Sequence, residues 1–166
     1  MRGYFYTLIL AACLPDIIQK GKTDMQNSNN YYNGLEDVLK ESGRAASELK
    51  RLPGSFSETL NELMKKRKLS RARLSIESNL SESTISRMKA SDNNNFTKQV
   101  VIAVCIGLRL SPAEAFSLID KSSCKLVMTN EQDVAYFHVL SSCGQYPIED
   151  VNEMLRINGY EELGGK

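Results

Sequence analysis

Residues 70 to 90 read SRARLSIESNLSESTISRMKA. The stretch holds four cations, Arg71, Arg73, Arg87 and Lys89, and five serines besides Ser70. Guanidinium groups take guanine edges or phosphates through paired bonds, ammonium groups take phosphates as point charges, and hydroxyls serve several base edges. That chemistry suits a polyanionic duplex. It needs a short helix anchored on one side and free on the other, tilted so that it can enter a groove. The spacing provides the anchors: Leu74 and Leu80 for a first helix and its turn, Ile85 and Met88 for a second. Ser75 is small where the two helices approach. Asn79 stands where the turn needs a left-handed residue, a conformation that Asn accepts more readily than most side chains.

Charge supports the same segment. The whole chain carries only +1, but from Lys65 to Lys98 nine cations face three anions, a window of +6 that leaves −5 for the remainder. A basic middle between acidic flanks is the footprint of a local polyanion site. The bland alternative for Lys65 to Lys68 is that cations at a helix carboxyl end suit its dipole. Hydrophobic content of 42% and charged content of 25% are those of an ordinary globular chain, and 166 residues allow one domain with an appendage.

The elements that must position this segment are marked by regular punctuation. SFSE at 55–58 is a capping box, followed by Phe56, Leu60, Leu63 and Met64 at helical spacing. Ser70 can cap a helix over about 71–78, and Ser81 one over about 82–90. Thr97 opens KQVVIAVCIGLRL, which is apolar nearly all round and must therefore sit at the centre of the domain. SPAE at 111–114 begins a fifth helix, with Ser111 as cap, Pro112 in the first turn and Glu114 completing the box. Thr129 with Gln132 reads as a further box before QDVAYFHVLSSCG. Pro147 opens IEDVNEMLRING, with Ile148, Val151, Met154 and Leu155 on one side and Gly159 as terminator. The short connection predicts that these last two helices form an antiparallel hairpin. No stretch alternates at period two, so the chain reads as all-α.

LSRARLSIESNLSESTISRMKAS, followed by a loop, an apolar helix and LRLSPAEAFSLI, resembles the lambda-repressor-like (Cro and XRE type) helix-turn-helix domain. The resemblance runs from Ser55 to Asp120 and takes in five helices in order. Ser75 replaces the typical alanine and Asn79 the typical glycine. The resemblance implies a DNA-binding transcriptional regulator whose recognition helix, about 82–89, enters the major groove of double-stranded DNA. Carried over by position, Glu82, Ser83, Thr84, Ser86 and Arg87 would contact bases, and Arg71, Arg73, Lys89 and Lys98 would contact phosphates. One recognition helix covers a half-site, which implies a homodimer. The tail, CKLVMTNEQDVAYFHVLSSCGQYPIEDVNEMLRINGY, is similar to an extra helical pair in a group of bacterial proteins of this superfamily.

The expected organisation is a 1–34 appendage and polar linker, a 35–54 helical segment in one piece broken at Gly43 or in two, a 55–120 helix-turn-helix domain and a 121–166 helical hairpin. The alternative function is a protein-interaction module, such as an antitoxin or adaptor, that holds its partner on the acidic hairpin region. An enzyme is not expected: there is no Gly-rich phosphate loop and no set of nucleophile, histidine and carboxylate. Cys13, Cys105, Cys124 and Cys143 form no C-x-x-C pair, and the lone histidine, His138, lies in a helical pattern. They predict reduced thiols in a cytoplasmic protein, with no metal and no cofactor. MRGYFYTLILAACL resembles a truncated export signal and is too short for a membrane span. An extra packed helix and a true start at Met25 both remain open for it, the second being preferred.

Overall fold

A computed structural model describes residues 39–40, 42–90 and 95–165. The readings made for 1–34 and for the start at Met25 lie outside the described residues. The chain divides into two compact units, Met1–Arg51 and Leu52–Lys166. In the first, Gly43 lies inside a described helical run over 42–49. A single glycine inside a helix costs about 1 kcal/mol and need not end it.

The second unit holds seven helices among the described residues: α1 Phe56–Lys66, α2 Arg71–Glu77, α3 Glu82–Ala90, α4 Lys98–Gly107, α5 Pro112–Lys121, α6 Glu131–Ser141 and α7 Ile148–Ile157. None of the described helices is long and apolar enough to cross a membrane. The apolar helix is central, as its all-round pattern requires: every residue from Val101 to Gly107 is buried in α4. The first helix-turn-helix element α2, the fifth helix α5 and both carboxyl-terminal helices pack on it, while α1 and α2 carry α3. Burial of each fully covered Leu or Ile contributes about 1.5–3 kcal/mol, so this layer supplies most of the cohesion.

Local chemistry sets the helix ends. Ser70 and Ser111 accept the amides of Arg73 and Glu114, as their sequence positions predict. Thr129 does not cap α6. Asn130 does, accepting the Asp133 amide at 3.1 Å, while Gln132, which the expected box requires, gives its side chain to Glu161 instead. The last two helices each lean on α4, and between them runs a groove of about 790 Å3. Ile106 lies in its lining, with Val139, Val151 and Met154 along the sides. Met154, read with Ile148, Val151 and Leu155 on one apolar side, is 62% exposed at this groove. An apolar α4 offers one continuous face to both helices, so neither needs the other as its main partner.

Three helices end on a non-glycine residue in the left-handed region: Lys68 (φ 54°), Asn79 (φ 50°) and Arg109 (φ 49°). Each is followed by the amide bond that closes a Schellman turn, Leu69 N to Met64 O at 3.0 Å, Leu80 N to Ser75 O at 3.1 Å and Leu110 N to Cys105 O at 3.2 Å. Lys68 is exposed, so its replacement isolates the backbone term. The left-handed penalty of about 1–2 kcal/mol exceeds the unfolded-state cost of glycine, about 0.5–1 kcal/mol. Lys68→Gly is therefore expected to raise stability by about 0.5–1 kcal/mol, measured as a higher urea midpoint with an unchanged slope. A lower midpoint would show that the lysine side chain outweighs its backbone.

Candidate nucleic-acid interface

Arg71 to Ala90 form two short helices joined by Ser78 to Ser81. Leu74, Leu80, Ile85 and Met88 are each at most 1% exposed, so all four predicted anchors are in the core. The turn is built by hydrogen bonds as well as by packing. Ser75 Oγ donates to the Leu80 carbonyl at 2.5 Å, and Ser78 Oγ donates to the Leu74 carbonyl at 2.6 Å. The serine in place of the typical alanine thus ties the end of the turn back to α2. Asn79 takes the left-handed conformation that the missing glycine would have taken.

The recognition helix α3 is held at both ends. Ser81 Oγ accepts the Thr84 amide at 3.1 Å, and Asn61 Nδ2 of α1 donates to the Lys89 carbonyl at 3.2 Å. Its inner side, Ile85 and Met88, is buried, and Glu82, Ser83 and Arg87 are exposed on the outer side. No described element covers that outer side. Thr84, Ser86 and Lys89 are partly exposed.

The candidate side chains fall into three groups. Ser83 and Thr84 hydroxyls lie 2.8 and 2.9 Å from Ser81 Oγ, forming a small hydroxyl cluster at the start of α3. Arg71 crosses from α2 to α3, where its guanidinium donates to Ser86 Oγ at 2.7 Å. It keeps further N–H donors, since a guanidinium carries five. Arg87 and Glu82 project from the outer face.

Other cations are engaged with carboxylates. Arg73 pairs with Glu77 at 2.5 Å, within α2. Lys98 gives its ammonium to Asp133 at 2.6 Å, which in turn accepts the Val127 amide at 2.7 Å. Burial alone would raise the Asp133 carboxyl, but Lys98 and the Val127 amide outweigh it and hold the group below its ordinary value. Lys66 and Arg67 reach Glu114 at 3.1 and 2.6 Å. Two carboxylates from outside the Lys65–Lys98 window, Glu114 and Asp133, thus offset part of its +6, while Arg109 from outside approaches Glu77 within it at 3.9 Å. The sequence expectation of Lys98 and Arg73 as phosphate contacts meets side chains already in ion pairs, and the Lys65–Lys68 run turns partly to α5.

Two supporting residues escaped the sequence reading. Asn61, which secures α3, has no local signal. Gly107 has one, a glycine inside an apolar helix, which marks close backbone approach. A Cβ there would stand 2.9 Å from Ser78 Cβ and 3.1 Å from the Glu77 carbonyl carbon.

Residues 59–121 match the family model described as the Cro/C1-type HTH DNA-binding domain, a span running from the first turn of α1 to the last residue of α5. No curated protein and no solved structure matches the chain. The matched span contains the anchored turn, the uncovered α3 and the central α4. Residues 59–121 of this chain are a Cro/C1-type helix-turn-helix DNA-binding domain.

Proposed function

We propose that the protein is a sequence-specific transcriptional regulator that places α3 in the major groove of double-stranded DNA and acts as a homodimer. The observation that carries this reading is the two-sided character of α3: Ile85 and Met88 are buried while Glu82, Ser83 and Arg87 stand in solvent. Arg71, bonded to Ser86 and left with further N–H donors, is suited to a phosphate beside the groove. Arg87 is suited to a bidentate guanine contact, and Glu82 to a cytosine amino group. The hydroxyl cluster of Ser81, Ser83 and Thr84 offers either partner to a base edge, although part of its capacity goes to capping. One α3 reads one half-site, and two-fold DNA symmetry then favours two copies.

Fluorescence anisotropy tests this, using the duplex upstream of the protein's own gene and a random duplex at two salt concentrations. Arg87→Ala is expected to cost about 1–3 kcal/mol on the preferred duplex and to relax preference at one base pair. Arg71→Ala should weaken both duplexes alike and lower the salt slope by about 1. Binding that is undetectable at micromolar protein, or insensitive to salt, would overturn the reading.

A second reading has one observation in its favour. The apolar groove between α6 and α7, flanked by exposed Tyr146 (56%) and Met154 (62%), fits a protein partner of an interaction module. A protein that binds no duplex but captures a partner through Met154 would support this second reading.

A further inference from the structure

The chain beyond α7 does not trail away. Tyr160 N bonds the Leu155 carbonyl at 2.9 Å to close the helix, and the next residues run back towards the DNA-binding domain. Three side chains hold Glu161. Gln132 Oε1 accepts its amide at 2.9 Å, Tyr136 Oη donates to its carbonyl at 3.1 Å, and Gln99 Nε2 donates to its carboxylate at 2.6 Å. Leu163 is 1% exposed, and both of its backbone groups are met by one buried amide. Its N–H donates to Asn152 Oδ1 at 2.7 Å, and Asn152 Nδ2 donates to its carbonyl at 3.0 Å. A side-chain amide here does what a neighbouring strand would do, which fixes the segment in position and register.

Gly164 then lies against the turn between α2 and α3. A Cβ at this position would stand 2.9 Å from the Asn79 carbonyl oxygen and 3.1 Å from that of Ser78, and φ is +80°. Only glycine fits on both counts. The Gly165 amide reaches the Asn79 oxygen at 3.4 Å and the Gly164 amide reaches the Gln99 oxygen at 3.5 Å. Bonds of that length are weak. The seat on the turn therefore depends on close packing and on the firm anchor at Leu163, the residue before Gly164. Asn79 is the left-handed residue on which the angle between α2 and α3 turns.

We infer that residues 161–165 form a positioning strap for the helix-turn-helix. The strap makes the tilt of α3, and with it the discrimination between DNA sequences, depend on α6 and α7, which lie outside the matched span 59–121. Its consequence for DNA rests on the function proposed above; its consequence for the turn does not.

The test uses the full chain with Gly164→Ala, whose added methyl group meets the Asn79 and Ser78 oxygens, and Glu153→Gln, exposed on α7 and outside the strap, as a control. Three quantities are measured: amide hydrogen exchange across the protein, thermal unfolding, and affinity for preferred and random duplexes. Gly164→Ala should speed exchange at Asn79 and Leu80 by about tenfold or more while α5 stays unchanged. Affinity for the preferred duplex should fall about tenfold and that for random duplex less than about twofold, since misplaced base contacts lose energy that phosphate contacts keep. The control should match the parent. If Gly164→Ala fails to fold, removal of residues 164–166, which leaves Leu163 in its seat, gives the same readouts. Unchanged exchange at the turn overturns the strap, as does a uniform rise in exchange with both affinities preserved. Faster exchange at the turn in a protein whose parent form binds no duplex keeps the strap and sinks the DNA reading.

Discussion

Replacing Glu114 by alanine is expected to lower stability by about 3 kcal/mol, seen as a melting temperature about 10 °C lower in calorimetry. The carboxylate is 8% exposed and has two tasks. Within α5 it completes the capping box, accepting the Ser111 amide at 3.0 Å. Across the fold it accepts Arg67 at 2.6 Å and Lys66 at 3.1 Å, and so joins the end of α1 to the start of α5. Arg67 also donates to the Leu108 carbonyl at 3.3 Å. Alanine removes the carboxylate half of the capping box and leaves Arg67 half-buried without its carboxylate. The Lys66 share is small, because that side chain is 50% exposed and solvent screens it. Glu114→Gln keeps an acceptor for Ser111 and should cost only about 1–2 kcal/mol. Equal melting temperatures for parent and alanine variant would show that the network adds nothing net.

The same residue predicts an acid response. Burial alone would raise the Glu114 carboxyl, but the Ser111 amide, Lys66 and Arg67 more than offset it, so its value lies below the ordinary one. A lowered folded value means that its contribution is complete above the ordinary glutamate range and is lost as pH falls through the lowered value. Asp133 shifts in the same direction. Stability should therefore decline on acidification below the carboxylate range. Glu114→Gln should flatten part of that decline and leave the part due to Asp133. A decline just as steep in Glu114→Gln would remove Glu114 from the account.

Gly107→Ala is the second large effect, and two terms oppose each other in it. Alanine is favoured over glycine inside a helix by about 1 kcal/mol, and by less at the last helical position. The added Cβ, however, would lie 2.9 Å from Ser78 Cβ and 3.0 Å from Ser78 N. The obstacle is backbone at the end of α2, which cannot swing aside as a flexible side chain can. Overpacking of this kind costs about 1–3 kcal/mol, so it wins. The expected net loss is about 1–2 kcal/mol in urea unfolding. The displaced residue is next to Asn79, so α3 should shift as well. Affinity for a preferred duplex, measured where both proteins are folded, is expected to fall about tenfold, equivalent to about 1.4 kcal/mol. Stability and affinity equal to those of the parent would mean that α2 and α4 are not in rigid contact at this point.

The sequence by itself determined most of what depends on near neighbours. Caps at Ser70, Ser81 and Ser111 are legible because a helix start brings a hydroxyl within reach of the amide two or three residues on. The inward anchors Leu74, Leu80, Ile85 and Met88 follow from helical period, and the left-handed Asn79 follows from the lack of glycine at a bend. The central place of α4 follows from its apolar character on all sides. Where two adjacent polar residues compete for one cap, as Thr129 and Asn130 do, local chemistry alone does not choose between them.

The tertiary structure alone decided which charges are free and what holds the recognition helix in place. Lys66 and Arg67 look like part of a basic patch until Glu114, 47 or 48 residues away, is seen to face them. Lys98 looks free until Asp133 arrives from α6. The groove between α6 and α7 depends on how broad a face α4 offers, and the seat of Gly164 on the turn depends on an amide at Asn152 holding Leu163. Ion pairs and close backbone contacts between distant residues carry no periodic or local signature. They exist only once the chain has collapsed around its core, because only then do the partners come within bonding distance.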